Sequence, residues 1–145
     1  MTDSVVQKTP DVFRFPVRVY IEDTDAGGIV YYVNYLKFME RSRTEFLRGL
    51  GYDKPAILDG GRLIVVHSAQ VDYRRPARLD DLLDVTTAVV KLARSYVELQ
   101  QQVWCGNQLL CEGLIRIVCV TSDTMKPCAL PTDLYHQLDQ TIHRD

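Results

Sequence analysis

Asp23-Thr24-Asp25-Ala26-Gly27-Gly28-Ile29-Val30-Tyr31-Tyr32-Val33-Asn34-Tyr35-Leu36 sets two carboxylates, a Gly-Gly pair and two adjacent tyrosines between a strand pattern and a helix pattern. Upstream, Phe15 to Ile21 alternates, with Val17, Val19 and Ile21 on one parity and Arg18 and Tyr20 on the other, which reads as a strand. Downstream, Leu36, Met39, Phe46, Leu47 and Leu50 recur at three- and four-residue steps, which predicts a helix from about Tyr32 to Leu47. Gly49 and Gly51 are its stop signals, and Glu40 with Arg43 and Arg41 with Glu45 are expected to pair on its exposed side. Such a junction suits chemistry. The carboxylates offer a nucleophile or base, glycines let a ligand approach the backbone, and a helix start supplies free N–H donors. It equally suits structure, because Asp before a helix is a common cap or Asx turn and Gly-Gly a common tight turn. On the residues alone both readings stand.

Beyond a turn-rich stretch from Asp53 to Gly61, the pattern is mostly of strands. Leu63 to Tyr73 places Val65, His67, Ala69, Val71 and Tyr73 on one parity, so His67 reads as a packed histidine or a pocket residue. Leu82 to Leu92, Tyr96 to Trp104 and Leu109 to Val120 follow, the last two joined by a Gly106-Asn107 hairpin signal. After a link from Ser122 to Pro131, Leu134, Leu138 and Ile142 mark a short final helix. One long helix cannot cover both faces of such a sheet. The sheet is expected to curl around the helix and to bury its other face against a second copy.

The 145 residues make one domain, 13–145, behind a flexible segment at 1–12. A net charge of −2 points to neither nucleic acid nor an anionic membrane surface. Without a long apolar run or a signal-peptide pattern, the expected location is the cytoplasm, with no membrane insertion. Cys105, Cys111, Cys119 and Cys128 form no CxxC pair and read as free thiols. His67, His136 and His143 are scattered without metal-ligand spacing, so neither metal nor cofactor is expected. The absence of G-x-S-x-G argues against a serine α/β-hydrolase.

The D-T-D-A-G-G-I-V-Y-Y-V-N-Y-L stretch closely resembles the signature of the hotdog-fold acyl-CoA thioesterases. It is similar to the 4-hydroxybenzoyl-CoA thioesterase family and its Tol–Pal-associated, YbgC-type branch. Glu40-Arg41-Ser42-Arg43-Thr44-Glu45, Tyr73-Arg74-Arg75-Pro76-Ala77-Arg78-Leu79-Asp80-Asp81, Met125-Lys126-Pro127 and Leu130-Pro131 extend the match from about Phe15 to Pro131. The resemblance implies an α+β hotdog fold, a five-stranded antiparallel sheet wrapped around one long central helix. It also implies dimers joined edge to edge, often paired into homotetramers, with the active site at a dimer interface. The substrate implied is acyl-CoA, with acyl carrier protein as the other thioester carrier.

The family's catalytic aspartate falls on Asp25, as nucleophile or general base, and its oxyanion donor on the backbone N–H of Tyr32. Asp23 then holds the loop. Gly28, Val30 and Tyr31 become substrate contacts, although Tyr31, like Tyr35, Phe38 and Met39, also reads as core or interface. Lys91 and Arg94, at a turn between strands, fall where relatives meet CoA phosphates; Arg74, Arg75 and Arg78 form a second basic cluster. Tyr32 and Ile21 depart from the His and Tyr common in the Tol–Pal branch, and Tyr32 resembles the hydroxybenzoyl branch. Two alternatives therefore stand: an aromatic acyl-CoA thioesterase, and a non-catalytic module that binds acyl-CoA or acyl carrier protein.

Overall fold

A computed structural model describes residues 12–142. The segment read as flexible falls almost wholly outside them. The elements run β1 (Phe13–Arg18), α1 (Tyr32–Gly49), β2 (Ile57–Leu58), β3 (Arg62–Tyr73), β4 (Leu82–Leu92), β5 (Tyr96–Cys105), β6 (Gln108–Thr121) and α2 (Thr132–Thr141). One antiparallel sheet has the order β1-β4-β5-β6-β3-β2. It is the hotdog arrangement with a sixth strand: two residues of the turn-rich stretch, Ile57 and Leu58, pair with Leu63 and Arg62.

α1 lies across the concave face. Phe38, Met39, Phe46 and Leu47 pack on Leu83, Val85, Leu99, Val103 and Ile115. Removing these apolar side chains from water is the main stabilising contribution, at ~25 cal/mol per Å² of apolar surface. The helix ends as the glycines predict: Gly51 N–H donates to the Arg48 carbonyl at 3.0 Å and Tyr52 N–H to that of Leu47 at 3.3 Å. Between β5 and β6, Gly106 has φ +58° and Asn107 has no positive φ, the pattern of a type II′ hairpin turn. Leu134 and Leu138 bury α2 beside β4.

Several sequence expectations change. β1 ends at Arg18, because the chain turns into a single 3-10 turn at Ile21–Asp23, closed by Asp23 N–H on the Tyr20 carbonyl at 3.0 Å. Val17 and Val19 are buried as their parity requires, whereas Ile21 is 76% exposed. A bulge between Val66 and Ser68 breaks the β3 parity, so His67 is exposed instead of packed. A second irregularity separates Val89 from Lys91. Glu45 pairs with Arg48 rather than Arg41, whose guanidinium instead lies 5.7 Å from the Phe38 ring centre. The convex face carries a polar ladder. Gln100, Gln102 and Arg74 converge on Glu112, and Arg116 on Glu98.

Candidate active site

β1, the 3-10 turn and α1 frame the site. The loop between them is a small hairpin in which Thr24 bridges Val30, and Ile29 bridges Arg78 of the segment entering β4. At its tip the Asp25 carbonyl accepts from Gly28 N–H at 3.0 Å. Gly28 closes the turn at φ +75°, a conformation that a side chain would strain. The Asp25 carboxylate is exposed. Its Oδ1 accepts from Gly27 N–H at 2.8 Å and Ile29 N–H at 3.3 Å, an Asx turn. Among the described residues Oδ2 has no partner, so one oxygen positions the side chain while the other stays available.

Asp23 does the opposite work. It is 5% exposed and ties the loop to both flanking elements. Its Oδ2 accepts from Tyr20 N–H at 2.9 Å and its Oδ1 from the Asn34 amide at 2.9 Å. Its own carbonyl accepts from Tyr31 N–H at 3.1 Å. The loop-holding role expected of Asp23 is what these bonds describe, and Asn34 is the partner that sequence reasoning missed. The signal was present: a polar residue on the buried side of the first helical turn.

Neither aspartate caps α1. Tyr31 is the N-cap, with no side-chain capping bond, and among the described residues the backbone N–H groups of Tyr32 and Val33 find no acceptor. Two donors backed by the positive end of an 18-residue helix dipole therefore face outward. Of the structural alternatives raised by the sequence, the helix cap does not apply, whereas the Asx turn is what Asp25 Oδ1 makes.

Beside this N-terminus a cavity of about 270 Å³ is lined by Val30, Tyr32, Tyr35, Tyr73, Arg74 and Arg75 among others. Tyr73 donates its hydroxyl to the Tyr32 carbonyl at 3.1 Å, and its ring meets those of Tyr32 and Tyr35 edge to face. Ala77 N–H donates to the Tyr35 hydroxyl at 2.8 Å; burial nonetheless pushes the Tyr35 phenol above its ordinary value, and does the same to Tyr73. Tyr73 is a site residue that strand patterning gave no reason to single out. A larger cavity, about 410 Å³, lies at the other end of α1 against Gly49 and Leu50, away from the loop.

Of the predicted site residues, Asp25, Gly28, Val30, Tyr31 and Tyr32 come together. Val30 is buried and lines the tyrosine cavity, while Tyr31 is 48% exposed. Lys91 and Arg94 do not join them within one chain. The loop sits at the Leu82 end of β4, where Arg18 pairs with Leu82. Lys91 lies nine residues further along, about 30 Å at strand rise. There Lys91 Nζ lies 5.6 Å from the Tyr96 ring centre. No group of three or more His, Cys, Asp or Glu side chains among the described residues forms a metal site. No described helix is long and apolar enough to cross a membrane.

An antiparallel sheet curled around one long helix is the hotdog fold, and its relatives are thioesterases. Residues 19–138 match the thioesterase-like superfamily, and the chain belongs to it. The Escherichia coli O157:H7 protein named acyl-CoA thioester hydrolase YbgC is 43% identical over 130 residues, spanning 89% of this chain and 97% of its own. The Haemophilus influenzae acyl-CoA thioesterase YbgC is 41% identical, spanning 87% and 96%. A crystal structure of a probable thioesterase from Bartonella henselae superposes with TM-score 0.73 at 33% identity, covering 83% of this chain and 98% of that one. The resemblance drawn from the D-T-D-A-G-G loop is borne out at the level of family, fold and thioester hydrolysis.

Proposed function

We propose that the protein hydrolyses acyl-CoA thioesters to a free acid and CoA, with Asp25 as the reacting carboxylate and the Tyr32 backbone N–H as the oxyanion donor. The observation that carries this reading is the pairing of an unengaged Asp25 Oδ2 with an uncapped helix start. A thioester carbonyl oxygen seated on the Tyr32 N–H gains charge as its carbon becomes tetrahedral, and the helix dipole favours that charge. Asp25 either attacks the carbon, forming a mixed anhydride that water then opens, or takes a proton from the attacking water. CoA leaves as the thiolate, which takes its proton from solvent in the first route and from the protonated Asp25 in the second.

The similarity to the YbgC proteins supports acyl-CoA as the substrate. The tyrosine cavity, with Arg74 and Arg75 on its rim, is an entrance suited to the polar pantetheine arm. Lys91 and Arg94 meet CoA phosphates only if a second copy brings them, so a homodimer joined along the β3 edge belongs to the reading. That edge is covered by β2 only at Arg62 and Leu63. One observation favours a second reading, an aromatic acyl group: the edge-to-face cluster of Tyr32, Tyr35 and Tyr73.

The test is thiol release from acetyl-, decanoyl-, palmitoyl- and benzoyl-CoA. Turnover of the aliphatic esters supports the first reading and turnover restricted to benzoyl-CoA the second. Binding of all four without thiol release would make the chain a binding module.

A further inference from the structure

α1 and β3 enclose a groove that the catalytic loop does not use. One helix stripe, Val33, Leu36, Glu40, Arg43 and Leu47, faces it at three- and four-residue steps. The stripe begins at Val33, the residue immediately after the oxyanion donor. Within one chain the groove's near apolar residues are uncovered, Val33 being 46%, Leu36 36% and Val66 of β3 51% exposed, so that a second copy joined along the β3 edge would form its outer wall. The groove is divided into a near cavity of about 230 Å³ and a far one of about 260 Å³, and both are walled by Glu40, Arg43 and Val66.

The division is built from below. Gln101 on β5 is fully buried. Its amide nitrogen donates to the Met39 carbonyl at 2.7 Å and to Thr87 Oγ1 at 2.8 Å. Ser42 hydroxyl, 2.8 Å from Thr87 Oγ1, donates to the Val85 carbonyl at 2.8 Å. With its nitrogen fixed, Gln101 presents Oε1 upward, and Arg43 Nη1 donates to it at 3.3 Å. The guanidinium is thereby held across the groove. Burial pushes its pKa below the ordinary arginine value, with Glu40 acting in the other direction. A buried polar network of this kind fixes a side chain firmly, because every member that moves leaves another unsatisfied.

We propose that the groove between α1 and β3 takes the aliphatic acyl chain of the thioester, and that Arg43 is the stop that sets its accepted length. The inference rests on the acyl-CoA reading above. A carbonyl held at Tyr32 N–H lies at the Val33 end of the stripe, and an acyl chain laid along the stripe runs toward Arg43. From Val33 to Arg43 is ten residues, about 15 Å, the reach of roughly a dozen extended carbons. A terminal methyl that reached the guanidinium would displace the water it still keeps and offer the cation nothing in return.

The experiment is a kcat/KM profile over acyl-CoAs of four to eighteen carbons for the full-length wild type, Arg43→Ala and Ala69→Trp. Arg43→Ala joins the two cavities and should move the optimum up by about four carbons, one helical turn of 5.4 Å. The ratio of kcat/KM for palmitoyl- over decanoyl-CoA should rise about tenfold, within the discrimination apolar pockets achieve. Ala69 lines only the near cavity, and the indole should instead shift the optimum toward short chains. It keeps the test alive if Arg43→Ala does not fold. Profiles that keep the wild-type optimum in both variants would overturn the proposal while leaving the thioesterase reading intact. Failure of the wild type to hydrolyse any ester would sink both.

Discussion

Asp23 and Asp25 are two residues apart and identical in type, yet replacing them should have opposite consequences. Asp23→Ala leaves the Tyr20 N–H and the Asn34 amide without their acceptor inside the protein, where Asp23 is 5% exposed. Each orphaned donor costs about 1–3 kcal/mol, the part-buried Tyr20 N–H at the low end of that range. Removing the buried carboxylate's own desolvation cost returns part of that, so the net loss should be about 2–4 kcal/mol. With a urea slope of about 2 kcal/mol/M, the unfolding midpoint falls by about 1–2 M. Asp25→Asn keeps an Oδ1 to accept from Gly27 N–H on an exposed loop, so stability should stay within about 0.5 kcal/mol of wild type. The assay is urea denaturation followed by tryptophan fluorescence, run beside turnover on the same preparations. An Asp23→Ala midpoint equal to wild type would refute the anchoring role. A large Asp25→Asn destabilisation would refute the reading that this exposed Asx turn carries little of the fold's stability.

Tyr73→Phe removes only the hydroxyl bond to the Tyr32 carbonyl while keeping the ring contacts, and should lower kcat about three- to tenfold with KM little changed, a loss of roughly 1 kcal/mol. A KM effect alone would contradict this positioning role. Replacing Lys91 and Arg94 together with Ala should raise KM for CoA esters but not for N-acetylcysteamine thioesters, which lack the phosphates. If the cations act across a dimer, mixing that variant with Asp25→Asn should regenerate about a quarter of wild-type sites, one native site per heterodimer; no recovery after confirmed subunit exchange would contradict it. Burial holds the Cys111 thiol up to about 12 from its ordinary 9.0. Folding therefore favours the protonated thiol, and the stability this gives is complete below pH 9 and lost as pH rises from there toward 12. Thermal melts from pH 8 to 11 should fall more steeply for wild type than for Cys111→Ala, and parallel curves would contradict it.

Sequence periodicity reached the long helix, the β5–β6 hairpin and the buried stripe of α2, because each is written in local spacing. It missed what depends on neighbours. The bulge at His67 reverses which β3 side chains face α1, and nothing in Val65-Val66-His67-Ser68 announces it. β2 exists only because β3 offers it an edge. Arg43 looked like a surface partner of Glu40 because the Gln101 network beneath it is assembled from β4, β5 and α1, elements far apart in the chain. The loop itself was legible for a related reason: Asp25, Gly28 and Val30 run directly into Tyr32 at the start of α1, and the roles given to them came from resemblance. Lys91 and Arg94 were grouped with them by resemblance, and β4 carries those two away from the loop at about 3.3 Å per residue. Their place in the site therefore depends on a second copy.

The most direct test of the central claim compares CoA release by wild type and Asp25→Asn on the best acyl-CoA ester, at saturating substrate and with equal folding confirmed by circular dichroism. Asp25→Asn should lower kcat by about 10²-fold or more, the size expected for a lost catalytic carboxylate. An Asp25→Asn enzyme that turns over within a few fold of wild type would contradict it, and the reacting group would have to be sought elsewhere on the loop.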